Sequence, residues 1–394
     1  MNDVVLEDGP ITWAGALDFE RPPTGLVPRR LPAWTVPQIP DLFMDVVTKM
    51  PSGVRLQFTT TSNAIELDVM MTHLRQLPHA QRAATFDLMV DGTLAGQASS
   101  MAGHLFTLGP GGPTDIAFTE GEPTTIAFDG LGTGVKAVEV WLPQASVVEV
   151  RRLSIDGEAT IERSVGGSAP RWVHYGSSIS HCLEADSPTG TWPAVAARAA
   201  GVELTSLGLA GQCMLDQFVA RTIRDLPADV ISLKVGINVV NGDTLRERTF
   251  GPALHGFLDT IREGQPTTPI LVVSPIFCPS AEDHPGPTIP GPDGRYITVG
   301  GLDELRLTCL TLTKIRESIR SIVELRQGLG DQHLHYLNGL ELFGAEDAGD
   351  LPDDLHPNPA GYARMGQRFA ELAFGPSGLV TPARGTWVRE SGGS

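Results

Sequence analysis

The sequence predicts two units of different fold class: an N-terminal β-sandwich and a C-terminal three-layer α/β/α unit with a parallel sheet. Apolar residues alternate with polar ones, with a period of two, through much of the stretch 51–157. Beyond residue 167, short apolar runs alternate with helical segments. The stretch Gly166-Gly167-Ser168 separates these patterns. We therefore expect a sandwich with an extended N-terminal segment over 1–166, an α/β unit over 167–376 and a tail over 377–394.

The alternating pattern of the first unit is clearest around residues 54–90. Val54, Leu56 and Phe58 alternate with polar residues, and Asp91-Gly92 follows a further apolar run as a two-residue hairpin signal. Several short strands separated by turns are typical of a β-sandwich, and this one resembles carbohydrate-binding modules. Residues 1–50 are rich in proline and lack periodicity, so we expect them to wrap over the unit rather than to form one.

The second unit shows the strand–helix alternation of a parallel sheet covered on both faces. Strands are predicted at 173–175, 202–207, 230–235, 270–273 and 334–337. Helices are predicted at 191–200, 213–225 and 244–263, around Ile315–Val323, and from Asn358-Pro359 onward. The stretch 275–301 is long and rich in proline and glycine, which favours a functional lid over a disordered surface insertion.

Composition excludes several classes of function. A formal net charge of -17 argues against binding to nucleic acid or to anionic membrane surfaces. The acidic start lacks the features of a signal peptide, and no apolar run has the length of a membrane span, so we expect a cytoplasmic protein. The four cysteines are scattered and have no metal-binding spacing, which indicates free thiols.

A candidate nucleophile lies just after the predicted strand 173–175. Parallel sheets present reactive groups at the carboxyl ends of their strands, and Ser178 follows this strand directly. His356 precedes the last helix, and an aspartate three positions earlier, Asp353, can curl back to its Nδ1 and leave Nε2 for a serine. Asp354 is the competing orienting residue. The alternative is structural: a Gly-Ser turn and a solvated acidic loop.

Two further loops at the same edge offer donors to an oxyanion. Gly211 follows the second strand, and a glycine lets its backbone N–H approach a ligand closely. Asn238 follows the third strand and carries a neutral amide donor. Taken alone, Gly211 is equally explained as a helix-start glycine and Asn238 as an N-cap. The order of serine, glycine, asparagine and Asp-x-x-His is more specific than any one of these residues.

These blocks resemble those of the SGNH (GDSL-type) hydrolases. Gly176-Ser177-Ser178-Ile179 resembles the Gly-Asp-Ser-Leu block, Gly236-x-Asn238 the Gly-x-Asn block, and Asp353-x-x-His356 the last block; Gly211 matches the second-block glycine. The resemblance implies a triad of Ser178, His356 and Asp353. It also implies an oxyanion hole formed by the backbone N–H groups of Ser178 and Gly211 with the Asn238 amide. Ser177 and Val239 replace aspartates that are frequent in the family.

With its N-terminal sandwich, the chain is similar in particular to GDSL-type acyltransferases that move a salicylyl group from coenzyme A to a polyketide hydroxyl in tetracycline biosynthesis. This implies an acyl-CoA co-substrate, an alcohol acceptor and no permanently bound cofactor, although no basic cluster in the sequence marks a coenzyme A phosphate site. One alternative is an esterase that deacetylates a glycoside or natural product. An alternative of another class is a non-catalytic carbohydrate-binding protein.

The remaining candidate residues favour structural roles. His333-x-His335 and Cys278 with Asp283-His284 lack the ligand spacing of a metal site, so no metal is expected. His181 either lines the pocket or, more simply, is a solvated histidine at a helix start. Trp172 and Trp192 are expected in the core. The sequence does not determine the oligomeric state.

Overall fold

The computed structural model describes residues 1–77, 79–109, 115–164, 169–300 and 303–380. The strands of the N-terminal unit are β1 Asn2–Val4, β2 Thr12–Ala14, β3 Asp18–Glu20, β4 Val27–Arg29, β5 Arg55–Thr60, β6 Ile65–Gln76, β7 Ala84–Val90, β8 Thr93–Ser100, β9 His104–Leu108, β10 Ile116–Thr119, β11 Thr124–Phe128, β12 Lys136–Trp141, β13 Ser146–Ile155 and β14 Ile161–Glu162. A 3-10 helix, Ala33–Gln38, and one α-helix, α1 Leu42–Lys49, precede β5.

The second unit contains the remaining regular elements of the described chain. Its strands are β15 Arg171–Gly176, β16 Glu203–Gly208, β17 Val230–Lys234, β18 Ile270–Val273, β19 Thr288–Pro290, β20 Tyr296–Thr298 and β21 Leu334–Leu337. Its helices are α2 Ser178–His181, α3 Trp192–Ala200, α4 Gln217–Asp225, α5 Ile237–Asn241, α6 Glu247–Gly264, α7 Leu312–Gly328 and α8 Pro359–Phe369, followed by a π-helical turn at Ala370–Phe374.

Two sheets of the N-terminal unit enclose one apolar core. One has the order β1-β13-β6-β9-β10 with β11 also on β6, and the other has the order β14-β5-β12-β7-β8 with β2 also on β5. Phe58 and Leu88 from one sheet and Leu67 and Val150 from the other are fully buried in this core. The alternating pattern therefore reflects strands with one buried face each. The finer likeness to carbohydrate-binding modules stays a prediction.

The hairpin predicted at Asp91-Gly92 is confirmed. It joins β7 to β8, with Val90 opposite Thr93. Both turn residues have positive φ values, 49° and 78°. This is the backbone of a type I′ turn, whose twist matches that of the strands it connects.

The first fifty residues contact both units. Short strands β1 and β2 pair with β13 and β5 of the two N-terminal sheets. Helix α1 instead places Met44 and Val47 in the hydrophobic core of the second unit. The buried Arg30 side chain donates to the Gly208 carbonyl at 2.6 Å, at the end of β16. The segment thus wraps over the sandwich as expected, and in addition it ties the two units together.

The second unit has the predicted parallel sheet, in the order β16-β15-β17-β18-β21. Helices α3 and α8 pack together on one face, where Trp172 stacks on Phe369 at 5.0 Å between ring centroids. Helices α4, α6 and α7 are neighbours on the other face, where Tyr175 stacks on Phe257 at 5.3 Å. Trp172 and Tyr175 point to opposite faces of β15 and contact opposite helical layers, as in a buried parallel strand.

Three sequence-based boundaries differ from the structure or lie outside its described part. The helix predicted at 213–225 begins only at Gln217, because residues 213–216 form the turn that reaches the active-site loops. The expected border between the units, at 166/167, lies outside the described residues and stays a prediction. Of the expected tail, residues 377–380 are described, and Val380 is buried against the second unit.

His181 joins the two units instead of being solvated as expected. Its ring is fully buried, and Nε2 donates to the Gln144 carbonyl at 2.7 Å. Its own carbonyl accepts from Ser52 Oγ at 2.9 Å. Burial lowers the pKa of His181 well below its ordinary value, with the nearby Arg30 charge adding to the effect. A neutral His181 therefore serves as part of the interface rather than of the pocket.

None of the helices within the described ranges is long and apolar enough to cross a membrane. All four cysteines fall within those ranges; each is buried, and no disulfide joins any two of them.

Candidate active site

The sheet order fixes where the site lies. Strand β15 lies between β16 and β17 in the sheet. The chain goes first to β16 on one side and then to β17 on the other, which makes the carboxyl end of β15 a topological switch point. Ser178 follows β15, Gly211 follows β16 and Asn238 follows β17. The loop that carries His356 follows β21, the last strand of the sheet. All four predicted segments therefore lie at the carboxyl edge of the parallel sheet.

Ser178 is the first residue of the short helix α2. Ser177 acts as its N-cap and accepts a hydrogen bond from the Ile179 N–H at 3.3 Å. The Ser178 side chain is thereby left free to point at the catalytic loop, and its Oγ lies 2.9 Å from Nε2 of His356. The geometry thus selects Ser178 over its neighbour, as the motif alignment implied.

The loop before α8 holds His356 through one carboxylate. Asp353 Oδ2 accepts from His356 Nδ1 at 2.7 Å, while Oδ1 accepts from the backbone N–H groups of Leu355 and His356 at 3.0 and 2.6 Å. Because the carboxylate can only accept, Nδ1 carries the proton and Nε2 is free to accept from Ser178. Asp354, the competing residue, points elsewhere and pairs with Arg295 at 3.4 Å.

The charges around His356 favour its protonated form. Burial by itself would lower the pKa of His356, but the carboxylates of Glu184 and Asp353 outweigh it and raise the pKa above its ordinary value. For Asp353, burial opposes the hydrogen bonds and charge of His356, and the net effect is a lowered pKa. Asp353 is therefore ionised at neutral pH and lies where its charge can balance that of a protonated His356.

Two residues that the sequence did not point to complete the surroundings of His356. Glu184 Oε1 lies 3.8 Å from Nδ1, and its other oxygen accepts from the Tyr362 hydroxyl at 2.8 Å. Tyr296, from the hairpin β19–β20, packs edge-on against the imidazole at 5.5 Å between centroids, and its N–H donates to the Asp353 carbonyl at 2.8 Å. No local motif marks either residue, because both reach the site through tertiary packing.

Two of the candidate oxyanion donors, Gly211 and Asn238, lie in the loops after β16 and β17. Asn238 Oδ1 accepts from the Cys213 N–H at 3.0 Å, so its Nδ2 remains available as a donor. Within the described chain, no hydrogen bond uses the backbone N–H of Ser178 or Gly211. Both residues are partly exposed, so these N–H groups can meet a ligand. Their role as an oxyanion hole stays a prediction.

Gly236 explains why the Gly-x-Asn block needs its glycine. Its φ of +115° is strained for any side chain, and an added Cβ would lie 2.5 Å from Cγ2 of Ile315. The turn it allows brings Asn238 round from the end of β17 to the edge of the sheet. Asn238 is the second residue of α5 and not the N-cap that sequence alone left open.

The remaining sequence candidates are accounted for as follows. Trp172 and Trp192 are fully buried in the core, as predicted. Among the described residues, no group of three or more histidines, cysteines, aspartates or glutamates is placed to hold a metal ion. Cys278 donates through its thiol to the Asp354 carbonyl at 3.3 Å and so braces the catalytic loop.

Comparison with known proteins agrees with this geometry. The model of the GDSL-like lipase/acylhydrolase family matches residues 174–364. The solved structure of SsfX3, a salicylyl-acyltransferase from a tetracycline biosynthetic pathway, is 30% identical and covers 93% of this chain and 95% of its own, with a TM-score of 0.78. The chain belongs to the GDSL-like lipase/acylhydrolase family. Its activity class is accordingly that of a serine-dependent hydrolase or acyltransferase.

Other members of this fold are more distant. A putative GDSL-like lipase from Bacteroides ovatus is 21% identical and covers 91% of this chain and 96% of its own, with a TM-score of 0.64. A family two carbohydrate esterase from Clostridium thermocellum is 13% identical, covers 91% and 96%, and has a TM-score of 0.59. At these identities the likeness shows the fold alone. Comparison with curated protein sequences gives no match.

Proposed function

We propose that this GDSL-family enzyme is an acyltransferase that moves an acyl group, aryl in the first instance, from a coenzyme A thioester to a hydroxyl of a polyketide-type small molecule. The observation that carries the reaction class is the hydrogen-bonded chain Ser178–His356–Asp353 at 2.9 and 2.7 Å. The likeness to a salicylyl-acyltransferase over 93% of the chain supports transfer and the aryl group. The donor and acceptor are inferred from that likeness.

The proposed first half-reaction acylates the serine. Ser178 Oγ gives its proton to His356 Nε2 and bonds to the thioester carbonyl carbon. The N–H groups of Ser178 and Gly211 and the Asn238 amide stabilise the negative charge on the carbonyl oxygen. When the tetrahedral intermediate collapses, the carbon–sulfur bond breaks and the departing thiolate takes the proton from Nε2. The products are the free thiol and a seryl ester.

The second half-reaction reverses the roles. The acceptor hydroxyl gives its proton to His356 Nε2, and its oxygen bonds to the acyl carbon. The bond to Ser178 Oγ then breaks, and the serine recovers its proton from Nε2. Asp353 holds the imidazole in one orientation and balances its charge in both steps. If water replaces the alcohol, the same steps make the enzyme an esterase, so exclusion of water decides between the two outcomes.

The serine is tested with a fluorophosphonate probe. The intact chain is expected to be labelled, and Ser178→Ala to lose the label. Ser177→Ala is the matched control: it removes the neighbouring hydroxyl, so label must persist. Absence of labelling in folded wild-type protein would refute the enzymatic role and favour the non-catalytic carbohydrate-binding alternative.

Transfer is tested by mass spectrometry after incubation with a panel of aryl- and alkyl-CoA thioesters, with and without polyphenolic alcohols. We expect a mass increase on Ser178 from an aryl thioester, and acylated alcohol when the acceptor is present. Turnover of simple esters with no acyl transfer to any alcohol would favour the second candidate, an esterase acting on a glycoside or natural product. The fold shared with the carbohydrate esterases is the observation that keeps this candidate.

A further inference from the structure

A cavity of about 430 Å³ adjoins the triad from the side of the histidine. His356, Asp353 and Glu184 form part of its wall, while Ser178, Gly211 and Asn238 are not among its lining residues. The opposite wall comes from the N-terminal unit, from the end of β6 and the loop before β7. The hairpin β19–β20 closes a third side with Tyr296. The space is therefore shared by both units.

The chemistry of acyl transfer assigns a role to this side of the site. His356 Nε2 gives its proton to the group that leaves the acyl carbon and takes a proton from the group that arrives. Both groups must come within hydrogen-bond distance of the imidazole. A cavity that contacts the imidazole, but not the oxyanion donors, is therefore placed for the leaving group and the acceptor rather than for the acyl chain.

Two arginines of the N-terminal unit, Arg75 and Arg82, line the cavity. Arg75 donates from Nη2 to Thr107 Oγ1 at 3.0 Å, and its Nε is buried without an acceptor among the described residues. Arg82 is exposed and donates to the Leu183 carbonyl at 3.2 Å. Within the described ranges neither forms an ion pair with a carboxylate, in a chain whose net charge is -17. Both keep donors for an anionic ligand.

The carboxylates of the cavity are occupied. Glu184 accepts from Tyr362, and Asp353 accepts from His356. Asp293 accepts from the N–H of Arg295 within its own hairpin. Among the described residues, Arg75 and Arg82 are the arginines of this wall that form no ion pair, since Arg295 pairs with Asp354. Arginine favours carboxylate and phosphate oxygens.

We propose that this cavity is the subsite for the leaving group and the acceptor, and that Arg75 and Arg82 select there for a molecule carrying a carboxylate or a phosphate. The inference rests on the proposed acyl-enzyme function. The anion has two possible sources, the departing molecule or the arriving alcohol, and both would use the same two arginines. The sequence showed no basic cluster because these residues join the site from a separate unit.

The test uses one matched pair of alcohols, para-(hydroxymethyl)benzoate and para-(hydroxymethyl)benzamide, which differ in charge but little in size. In the first arm, each alcohol is esterified with the acyl group that loads Ser178 fastest, and kcat/KM is measured for both esters. In the second arm, each free alcohol competes with water for the acyl-enzyme, and the fraction of transfer is measured. Variants are Arg75→Gln, Arg82→Gln and their combination. Arg320→Gln, which removes an exposed arginine from α7, is the control.

Wild type and Arg320→Gln are expected to favour the carboxylate over the amide. In the double variant that preference should fall by about ten-fold or more, because two charge-assisted hydrogen bonds are lost. The rate with the amide should stay within about two-fold of wild type. If the preference for the carboxylate falls only in the first arm, the anion belongs to the leaving group. If it falls only in the second arm, the anion belongs to the acceptor.

The proposal is overturned if wild type does not distinguish carboxylate from amide in either arm, or if the arginine variants keep the preference. Arg82→Gln alone remains informative if Arg75→Gln fails to fold, since Arg82 is exposed. Fluorophosphonate labelling of Ser178 in each variant reports the nucleophile independently. Labelled protein without carboxylate preference refutes this subsite only, whereas unlabelled wild type refutes the acyl-enzyme function itself.

Discussion

At the scale of single residues, the site depends on which carboxylate faces His356. Asp353 makes three hydrogen bonds to the loop that carries the histidine, while Asp354 pairs with an arginine of the hairpin. Asp354 also adopts a positive φ of 63°, which turns its side chain away from the path of its neighbour. The two adjacent aspartates therefore have separate tasks.

Replacing each aspartate tests this division. Asp353→Asn is expected to lower kcat by roughly a thousand- to ten-thousand-fold, because an amide in its place no longer fixes the tautomer or balances the imidazolium charge. Asp354→Asn should stay within a few-fold of wild type. Both rates are measured with para-nitrophenyl acetate, at equal extents of folding by circular dichroism. A larger loss in Asp354→Asn would show that the assignment is reversed.

A second residue-scale prediction concerns the pH profile. His356 acts as a base only when neutral, so kcat/KM falls as the pH drops through its pKa. The Glu184 carboxylate, 3.8 Å from Nδ1, stabilises the protonated ring and so raises that pKa. In Glu184→Gln the acid limb of the profile should move to lower pH. Asp186→Asn, an exposed change in the same loop, is the control and should leave the limb in place.

An acid limb that stays unchanged in Glu184→Gln, or that moves to higher pH, would contradict this role. A general loss of activity without a shift would indicate that Glu184 serves only to hold Tyr362.

The site residues that belong to local motifs were predictable from the sequence. Those that tertiary packing brings to the site were not. Ser178, Asp353 and His356 follow strand ends or precede a helix, so their placement at one edge was predictable from strand–helix alternation. Glu184 lies in a loop after α2, and Tyr296 begins the short strand β20 within a long loop. The course of both segments depends on long-range contacts. Nothing in their local spacing indicates that they meet the same imidazole.

At the scale of elements, the hairpin β19–β20 is the part of the long Pro- and Gly-rich stretch that reaches the reacting groups. Tyr296 packs edge-on against His356, and the histidine side chain is only 9% exposed. A lid that shields the base from water favours transfer to an alcohol over hydrolysis. Within the described part of the stretch, 275–300, the hairpin thus contacts the site, and its role as a lid stays a prediction.

Removing the Tyr296 ring should change how much of the acyl group is lost to water instead of being transferred to an alcohol. Tyr296→Ala is expected to raise the ratio of hydrolysis to transfer several-fold, because water gains access to His356. Tyr296→Phe keeps the ring and is the matched control; it should retain the wild-type ratio. The products are separated by chromatography after reaction with an acyl donor and an alcohol. Equal ratios in Tyr296→Ala and wild type would show that the hairpin does not shield the base.

Regular elements were predictable where burial imposes a period on the sequence. Strand β18 is a continuous apolar run, and β15 and β17 are buried along almost their whole length. The long strands β6 and β13 of the first unit alternate between buried and less buried residues over part of their length. Only the hairpin signal at Asp91-Gly92 indicates strand β8, Thr93–Ser100, because it is an edge strand of small and polar residues with mostly exposed positions. Its existence follows from pairing with β7 and not from its own composition.

At the scale of the whole molecule, the two units share structure through the first fifty residues. Helix α1 belongs to the N-terminal part of the chain but buries Met44 and Val47 in the core of the second unit. Phe43 of the same helix lies beside Gly211, where an added Cβ would be 3.4 Å from its ring. The sequence predicted that this segment wraps over the N-terminal unit. It did not predict that α1 packs into the second unit, because that contact depends on the interface between the units.

The burial of α1 predicts that a substitution in this helix lowers the stability of the second unit. Met44→Ala should lower the free energy of unfolding by about 2–5 kcal/mol, because it leaves a cavity in a fully buried place. Leu42→Ala, in the same helix but 68% exposed, should change it by less than about 0.5 kcal/mol. Unfolding is followed in urea. Similar small effects in both variants would show that α1 is not part of this core.

The position of α1 also bears on how the chain is made. A ribosome releases this helix long before it has synthesised β16, whose last residue, Gly208, accepts from Arg30. At ordinary elongation rates the delay is on the order of ten to thirty seconds. Through that interval the apolar side of α1 has no native partner, so the nascent chain must keep it from competing contacts. Completion of the second unit then supplies this helix with its native partner.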